Sequence, residues 1–491
     1  RVFRETEDLA EDESEIESIT DEERDALPIS TVKDGEVVTY PNAEALLDDQ
    51  EEALAPPLQV KRPSKIAPHV LHPEINTEYR TNFQIESDDI GVGTPLDRIY
   101  HKNRAIQRLN KLDAENRLAT PTEQRVLADY VGWGGLSEFF KEDNPHYAEL
   151  KDVLSDEEYA SARESTLTAF YTPPVVIKAV YSALENMHFQ TGNVLEPSCG
   201  IGNFMGLVPE SMNDAKFYGV ELDNISGRIA QQLYQKNSIA VQGFENTNLP
   251  DSFFDAAIGN VPFGQFKVPD KRYDKHNFLI HDYFFARTLD KVRPGGVIAF
   301  ITSKGTLDKE NPNVRKYIAQ RADLLGAIRL PNDTFKAAAG TEVTSDIIFL
   351  QKRDRVVDIE PDWVHLATDA NGIRMNAYFV DNPEMVLGDM QMVSGPHGME
   401  SACIAYENAE HGDLLRDAIQ NIHAEITEFE IDDLEADDED LSIPADPDVR
   451  NFSFTVVDGK IYYRENSRMI PVDVSATAES LIKGMIAIRD C

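Results

Sequence analysis

Two stretches of the sequence contain residues suited to holding a nucleoside. Residues 198–203 form a small-residue turn after an apolar strand, and glycine at 200 and 202 would let a ligand lie against the backbone. The strand at 216–222 carries Glu221 near its end, and such a carboxylate can accept both hydroxyls of a ribose. Neither feature is specific, because the turn is neither G-x-G-x-x-G nor a Walker loop. A tight strand–helix turn and a solvated carboxylate remain the alternative interpretations.

Polar residues also end the neighbouring strands. Glu196 closes the strand before the glycine turn, Glu245 ends a predicted strand at 239–244, and Asn260 ends the strand at 253–260. Ligands bind at the carboxyl edge of a parallel sheet, where such residues meet. We therefore expect one site at this edge, although a plain strand-end turn is the alternative at Asn260.

The elements needed to position these residues follow from the alternation of apolar runs. Strands are predicted at 193–197, at the three ranges already named, and at 297–302, 323–330 and 346–351, with a helix at 277–292 and an Arg-Pro-Gly-Gly turn at 293–296. This alternation predicts an α/β fold with a mainly parallel, doubly wound sheet.

The motifs together resemble those of S-adenosylmethionine-dependent DNA adenine-N6 methyltransferases of the gamma type. F-Y-T-P-P at 170–174 resembles the upstream cofactor motif, E-P-S-C-G-I-G-N at 196–203 the glycine motif, and N-V-P-F at 260–263 the catalytic Asn-Pro-Pro-aromatic motif. Residues 259–264 and H-D-Y-F-F at 281–285 resemble the methyltransferase part of large methyltransferase–helicase fusions. Such fusions occur in phages, as defence-against-restriction proteins, and in conjugative elements.

The resemblance covers residues 97–353 and implies a fold, a cofactor and a substrate. The fold is the Rossmann-like class I methyltransferase fold, a seven-stranded, mostly parallel sheet whose last strand is antiparallel and inserted beside the fifth. The cofactor is S-adenosylmethionine, and the partner is DNA with an adenine target. The activity is methyl transfer to adenine N6, in modification or antirestriction of mobile-element DNA.

The resemblance also implies roles for individual residues. The Asn260 side chain and the Val261 carbonyl would accept from the target amine, and Phe263 would stack on a flipped base beside the walls Pro262 and Phe266. Glu196 would face the methionine end of the cofactor and Glu221 its ribose. The expected cofactor-binding set is Tyr171, Thr172, Pro173, Glu196, Pro197, Ser198, Gly200, Gly202, Asn203, Glu221, Leu222, Phe244 and Glu245.

Val261 departs from the motif, since the family has proline there. Valine still offers its carbonyl, but it constrains the loop less and brings an N–H group that needs a partner. Two readings therefore stay open: a working enzyme, or a degenerate module that binds cofactor or DNA, or blocks restriction, without chemistry. A third alternative is a protein-glutamine or RNA methyltransferase, against which the upstream Tyr-Thr-Pro motif argues.

The charge of the chain is unevenly distributed. The net charge is −40, but residues 161–353 sum to +1, whereas residues 1–60 sum to −15 and residues 354–491 to −21. The motif-bearing part is thus compatible with binding to DNA. Four cations follow the N-V-P-F motif: Lys267, Lys271, Arg272 and Lys275. They could bind DNA phosphates, or they could belong to a solvated loop with no such role.

Composition and the chain start set further expectations. Three cysteines without metal-ligand spacing argue against a disulfide framework or a metal site, and no membrane-spanning run or signal peptide is visible. A cytoplasmic protein is expected. Because the chain begins with arginine rather than methionine, we expect a piece of a longer polypeptide, with further domains that the resemblance suggests include a helicase.

We divide the sequence into six segments. Residues 1–81 are expected to be an acidic, disordered or extended linker, 82–165 a helical lead-in, and 166–353 the methyltransferase catalytic domain. Residues 354–424 are expected to be an α/β extension, 425–450 an acidic linker, and 451–491 a β-hairpin and the start of a further, β-rich domain.

Overall fold

The computed structural model divides the chain into two compact units, Arg1–Thr427 and Glu428–Cys491. It describes residues 29–33, 36–40, 69–88, 93–130, 132–133, 136–165, 171–336, 342–395, 398–426, 443–444, 449, 453–457, 460–465, 468–472, 482–486 and 489. Within these ranges no helix is long and apolar enough to cross a membrane. Phe170, the Asp458-Gly459 turn and most of both predicted linkers lie outside the described residues.

The lead-in is helical, as its sequence predicts. Before the lead-in, strands β1 (Ile29–Lys33) and β2 (Glu36–Tyr40) form an antiparallel pair. Helices α1 (Pro95–Glu115), α2 (Pro121–Ala128), α3 (Tyr147–Val153) and α4 (Asp156–Ser165) follow. Both α1 and α2 begin with a threonine capping box, which supplies partners for free N–H groups of the helix start, and with proline, which has no N–H group to satisfy there.

A seven-stranded sheet forms the centre of the first unit. Its strands are β3 (Asn193–Glu196), β4 (Lys216–Glu221), β5 (Ser238–Val241), β6 (Phe254–Asn260), β7 (Val292–Ser303), β8 (Ala322–Leu330) and β9 (Ser345–Lys352). Their order is β5-β4-β3-β6-β7-β9-β8. All neighbours are parallel except that β9 runs antiparallel between β7 and β8. The predicted Rossmann-like sheet, with an inserted antiparallel last strand, is confirmed.

Helices precede the sheet and connect its strands. They are α5 (Pro174–Asn186), α6 (Asn203–Gly206), α7 (Asn224–Leu233), α8 (Ile280–Lys291), α9 (Gly305–Asp308) and α10 (Asn313–Ala319). The sheet centre is almost wholly apolar and buried, from Ala256 to Ile258 and from Val297 to Ile301. This continuous burial is typical of a parallel strand covered on both faces.

Two local predictions were wrong. Strand β5 ends at Val241, and Glu245 lies instead in a short 3-10 helix, Phe244–Asn246, because the chain turns at Gly243. The predicted Arg-Pro-Gly-Gly turn is part of β7, where the register against β6 shifts between Phe254 and Ala256. Such an irregularity accommodates extra residues without ending the strand.

Smaller elements follow the sheet in both units. The first unit adds β10 (Leu366–Thr368), β11 (Arg374–Asn376), α11 (Ala377–Asp381), the antiparallel ribbon of β12 (Gly388–Gly395) and β13 (Gly398–Ala405), and α12 (His411–Ile419). The second unit contains the sheet β14 (Ile443–Pro444), β17 (Arg468–Pro471), β16 (Lys460–Glu465) and β15 (Phe454–Val457), in that order. The predicted small β-rich C-terminal region is therefore confirmed, whereas the segment boundaries stay predictions.

The turn between β3 and α6 requires glycine at two positions for different reasons. Gly202 has φ of +87°, and a Cβ atom there would lie 2.5 Å from Cε2 of Tyr234. Gly200 has φ of +55°, but the nearest atom to a Cβ there would be the Tyr171 hydroxyl oxygen at 3.8 Å. Gly202 is thus needed for packing as well as for conformation, whereas Gly200 leaves space at the surface of the turn.

We expect Gly202→Ala to reduce the free energy of unfolding more than Gly200→Ala does. Both changes impose about 1–2 kcal/mol of left-handed strain on an L-residue, and the Tyr234 overlap adds about 1–3 kcal/mol at position 202 alone. Urea unfolding followed by circular dichroism measures both losses. Equal losses would show that the Tyr234 ring moves aside without cost.

Candidate functional site

A cavity of about 610 Å³ opens at the carboxyl edge of β3, β4 and β6. It brings together most of the residues that the sequence predicts for a cofactor and for catalysis. These are Tyr171, Thr172, Glu196, Pro197, Ser198, Gly200, Asn203, Glu221, Leu222, Phe244, Glu245, Asn260, Val261, Pro262 and Phe263. Parallel strands place their last residues at one edge, so this convergence follows from the topology.

Glu221 ties the glycine turn to its own strand end. Its Oε2 atom accepts the backbone N–H of Gly200 at 2.7 Å, and its Oε1 atom accepts that of Asp223 at 2.7 Å. Burial, with a contribution from the Asp223 carboxylate, raises the pKa of Glu221 to about 7, although the backbone N–H donors oppose this shift. Each carboxylate oxygen keeps a lone pair, so Glu221 can still accept ribose hydroxyls.

Glu196 and Asn203 present buried polar atoms to the same cavity. Glu196 is 2% exposed, and neither its Oε2 atom nor Nδ2 of Asn203 has a hydrogen-bond partner among the described residues. Burial and the nearby Glu221 raise the pKa of Glu196 well above its ordinary value. Buried polar atoms without partners are rare in folded proteins, so the pair indicates a polar ligand that supplies a donor and an acceptor.

The Asn260–Phe263 loop is fastened to both of its neighbouring strands. Ser198 Oγ, in the glycine turn after β3, donates to the Asn260 carbonyl at 2.9 Å. The Val261 N–H donates to the Ile301 carbonyl of β7 at 3.0 Å, and Val261 is buried. The N–H group that valine adds to the motif therefore has a partner. This bond supplies a constraint on the loop that the sequence did not reveal.

The segment after this loop is held against α8 by one carboxylate. Asp270 accepts from the Tyr283 hydroxyl at 2.9 Å and from the Arg287 guanidinium at 2.6 Å. The Arg287 guanidinium also lies over the Phe244 ring, 5.0 Å from its centroid. Arg287 thus contacts both Phe244 in the cavity wall and Asp270 in the segment that follows the Asn260–Phe263 loop.

The four predicted phosphate-binding cations do not form one cluster. Lys267 lines the cavity and bonds Asn277. Arg272 pairs with Asp251 and Asp290, each at 2.8 Å, so it fastens the loop to the neighbouring elements. Lys271 and Lys275 are exposed and away from the cavity wall. A DNA-contacting role for these four residues stays a prediction.

The residues that line the cavity differ in part from the predicted set. Pro173 caps α5, and Gly202 packs on Tyr234, so neither lines the cavity. Trp133, Ser161 and Asp223 do line it, yet they were not predicted as site residues. The Gly-Trp-Gly-Gly run at 132–135 is a local signal for Trp133. Nothing local in the sequence points to Ser161.

The cavity residues fit the chemistry of S-adenosylmethionine. The partnerless carboxylate oxygen of Glu196 suits an ammonium donor, Glu221 suits the ribose hydroxyls, and Phe244 offers an aromatic wall to the adenine. Asn260 and Phe263 lie in the same cavity, where a second, target base would meet the methyl donor. The arrangement can therefore bring a nucleoside cofactor and an amine acceptor together.

Comparison with known proteins agrees with this geometry. The family model described as N-6 DNA Methylase matches residues 153–371. Defense against restriction protein B of Escherichia phage P1 is 28% identical over 284 residues, which are 56% of this chain and 11% of that protein. Type II methyltransferase M.CvrRI of Paramecium bursaria Chlorella virus XZ-6E is 31% identical over 115 residues, 23% of this chain and 29% of that one. The chain therefore spans less than a third of either relative.

A solved structure is similar at lower identity. The type I restriction-modification methyltransferase subunit of Streptococcus thermophilus is 16% identical, with a TM-score of 0.35, over 62% of this chain and 64% of that chain. The family that the motifs predicted is thus the one whose model matches the chain. That model matches residues 153–371, which contain the cavity strands and the Asn260–Phe263 loop.

Proposed function

We propose that this chain transfers a methyl group from S-adenosylmethionine to N6 of adenine in DNA. The observation that carries the proposal is the joining of two half-sites in one cavity. Glu196 and Glu221 lie on the cofactor side, Asn260 and Phe263 lie on the acceptor side, and the bond between Ser198 and the Asn260 carbonyl connects them.

The residues would act mainly by orienting the acceptor amine. Bound S-adenosylmethionine supplies an electrophilic methyl group on a sulfonium. The Asn260 side-chain oxygen and the Val261 carbonyl would accept the two N6 hydrogens, which draws the nitrogen toward tetrahedral geometry and stabilises its developing positive charge. Once N6 had taken the methyl group in exchange for the sulfonium leaving as a thioether, its surplus proton would pass to solvent.

The target base must leave the duplex to reach this loop. Phe263 is half-buried in the cavity wall, and Phe266 is 50% exposed beside it. One ring can stack on a flipped adenine, and the other can cover the space that the base enters. The similarity to the phage defence-against-restriction protein suggests that the methylated DNA belongs to a mobile element, which modification would protect from restriction. In that setting further domains, including a helicase, would deliver the DNA.

Transfer of a tritiated methyl group from S-adenosylmethionine to unmethylated DNA, followed by base analysis, tests the proposal. We expect label in N6-methyladenine. Label found in protein or RNA instead of DNA would show that protein or RNA is the substrate. Absence of transfer to any DNA, in a protein that still binds the cofactor, would favour a module that binds without chemistry.

Cofactor affinity should rise with pH through neutrality. The ribose hydroxyls donate to an ionised Glu221, whose pKa of about 7 leaves roughly a tenth of it ionised at pH 6 and nine-tenths at pH 8. The Kd for S-adenosylhomocysteine, measured by calorimetry, should therefore be about tenfold lower at pH 8. Glu221→Gln should bind more weakly and lose this dependence. A wild-type Kd that is constant between pH 6 and 8 would contradict the assigned role.

Asn260→Ala should abolish most methyl transfer without weakening cofactor binding. Loss of one preorganised acceptor costs about 3 kcal/mol of transition-state stabilisation, or about a hundredfold in rate. Asn248→Ala, at an exposed asparagine outside the cavity, is the matched control and should keep the wild-type rate. Single-turnover kinetics with saturating cofactor measure both variants. A rate for Asn260→Ala within threefold of wild type would exclude this residue as the amine acceptor.

Val261→Pro restores the family motif, yet we expect it to leave the transfer rate unchanged or lower. Proline removes the N–H that bonds Ile301, which costs about 1 kcal/mol, while its fixed φ returns a similar amount through the unfolded state. Val261→Ala, which keeps the N–H, is the control for the lost side chain. Methyl-transfer rate and the urea midpoint are the measurements. A large rise in rate on introducing proline would mean that the hydrogen bond does not hold the loop.

A further inference from the structure

Part of the cavity wall comes from the helical lead-in rather than from the sheet. Gly132 and Trp133, which follow α2, and Ser161, on α4, all line the cavity. Trp133 is 1% exposed, although it lies in a segment between helices. A large aromatic side chain buried at the edge of a ligand cavity either packs only on the protein or forms a face for the ligand.

A buried lysine holds this wall in place. Lys102 on α1 is 0% exposed and donates from Nζ to the Gly132 carbonyl at 2.7 Å. The same Nζ atom lies 5.2 Å from the ring centroids of Tyr130 and of Trp133. Burial lowers the pKa of Lys102 well below its ordinary value. Since burial of an amine is costly, its direction toward one carbonyl and two rings indicates that the position of this segment matters.

Polar atoms around the wall are left for a ligand. Trp133 Nε1 and the Tyr171 hydroxyl are buried and make no hydrogen bond of normal geometry with any described residue; Trp133 lies near the Tyr130 hydroxyl, and Tyr171 near Ser226. Trp133 and Tyr171 both line the cavity. Two such atoms on one cavity wall are unusual, and indole N–H can act only as a donor. An oxygen-bearing ligand on this side of the cavity would satisfy them.

The wall is fixed to the ribose side of the cavity by contacts between the lead-in and α7. Ser161 Oγ bonds Asp223 Oδ1 at 3.2 Å, two residues beyond Glu221. Arg228 on α7 bonds Glu158 on α4 at 3.1 Å and also pairs with Asp113 on α1. These contacts hold α1 and α4, between which Trp133 lies in the sequence, against α7 and the residue that follows β4, where the nucleoside part of the cofactor would bind.

We propose that the lead-in completes the cofactor site, with Trp133 contacting the nucleoside half of S-adenosylmethionine and Lys102 acting as the residue that positions Trp133. The indole ring covers that half of the cavity, and its N–H donates to an oxygen of the ribose. This inference rests on the proposed function. It adds a binding residue and a positioning residue outside the strand-end motifs.

The chain offers a direct optical test, because Trp133 and Trp363 are its two tryptophans. Trp363 lies in a 3-10 helix, Asp362–Val364, away from the cavity wall. In Trp363→Phe, Trp133 is the only reporter. Titration with S-adenosylhomocysteine should change its emission with the Kd that calorimetry gives, and that Kd should equal the wild-type value. In Trp133→Phe the emission change should vanish, and the calorimetric Kd should rise about tenfold as the N–H donor is lost.

Lys102→Met separates positioning from folding. Methionine keeps length and apolar bulk, and replacing a buried charge in this way is often neutral or stabilising. We expect an unfolding midpoint equal to or above that of wild type, together with a Kd for S-adenosylhomocysteine about fivefold higher. In the double variant Lys102→Met/Trp363→Phe, S-adenosylhomocysteine should change the emission of Trp133 less than it does in Trp363→Phe alone. A lysine with a merely structural role would change the midpoint and leave the Kd unaltered.

The outcomes distinguish this inference from the function on which it rests. If calorimetry shows binding, but Trp133 emission is unchanged in Trp363→Phe and Trp133→Phe binds as tightly as wild type, the inference is wrong and the proposed function stands. If Lys102→Met binds with the wild-type Kd, the positioning role is wrong. If the wild-type protein binds no S-adenosylhomocysteine at any pH tested, both the inference and the proposed function fail.

Discussion

The hydrogen bond from the Gly200 N–H to the Glu221 carboxylate, 2.7 Å long, joins the two strand ends on which the cavity depends. The second oxygen of Glu221 accepts the Asp223 N–H, close to the start of α7. One carboxylate therefore fixes the glycine turn, its own strand end and the approach to the next helix. Helix α7 in turn bonds the lead-in, since Gln232 Oε1 accepts the Ala119 N–H at 2.7 Å. A chain of contacts thus runs from Glu221 to the segment that carries Trp133.

The local electrostatics of the cavity are set by burial rather than by the charge of the whole chain. The net charge of −40 resides mainly in the two flanks, while residues 161–353 are close to neutral. Within that neutral part, Glu196 and Glu221 share one strand edge; burial raises the cost of ionising both, and the Glu221 carboxylate adds to that cost at Glu196. A cationic ligand relieves this cost, because an ammonium or sulfonium stabilises the ionised carboxylates. Desolvated acids at one edge thus favour a positively charged cofactor in a region with little net charge of its own.

Local patterns predicted the sheet well because its strands are continuous apolar runs. The strands around Leu195, Val220 and Ile258 and the inserted strand at 346–351 are all observed. Convergence of Glu196, Glu221 and Asn260 in one cavity also follows, because parallel strands end at one edge. The fold and the motif half of the candidate site could therefore be predicted.

What could not be predicted depends on partners distant in sequence. Arg272 looked like a free cation, but Asp251 and Asp290 neutralise it across the fold. Nothing near Trp133 in the sequence shows that Lys102 holds its segment, or that Trp133 lines a cavity together with Tyr171. The sequence analysis placed Glu245 at the end of the strand at 239–244. The structure shows that the strand ends earlier and that the chain turns at Gly243 into a 3-10 helix, which the local sequence did not reveal. Contacts of this kind are properties of the assembled sheet and helices.

The valine at position 261 shows how such a contact changes the meaning of a motif. Proline would restrict the loop through its own ring, independently of the rest of the fold. Valine instead continues the hydrogen bonding of β6 to β7 by one residue, through Ile301. Strand β7 is itself paired on its other side with β9, so the restraint on the loop comes from the middle of the sheet. Beyond the loop, Asp270 holds the following segment to Tyr283 and Arg287. The departure from the family motif therefore moves the constraint from a ring to the sheet, and by itself it is no sign of a lost activity.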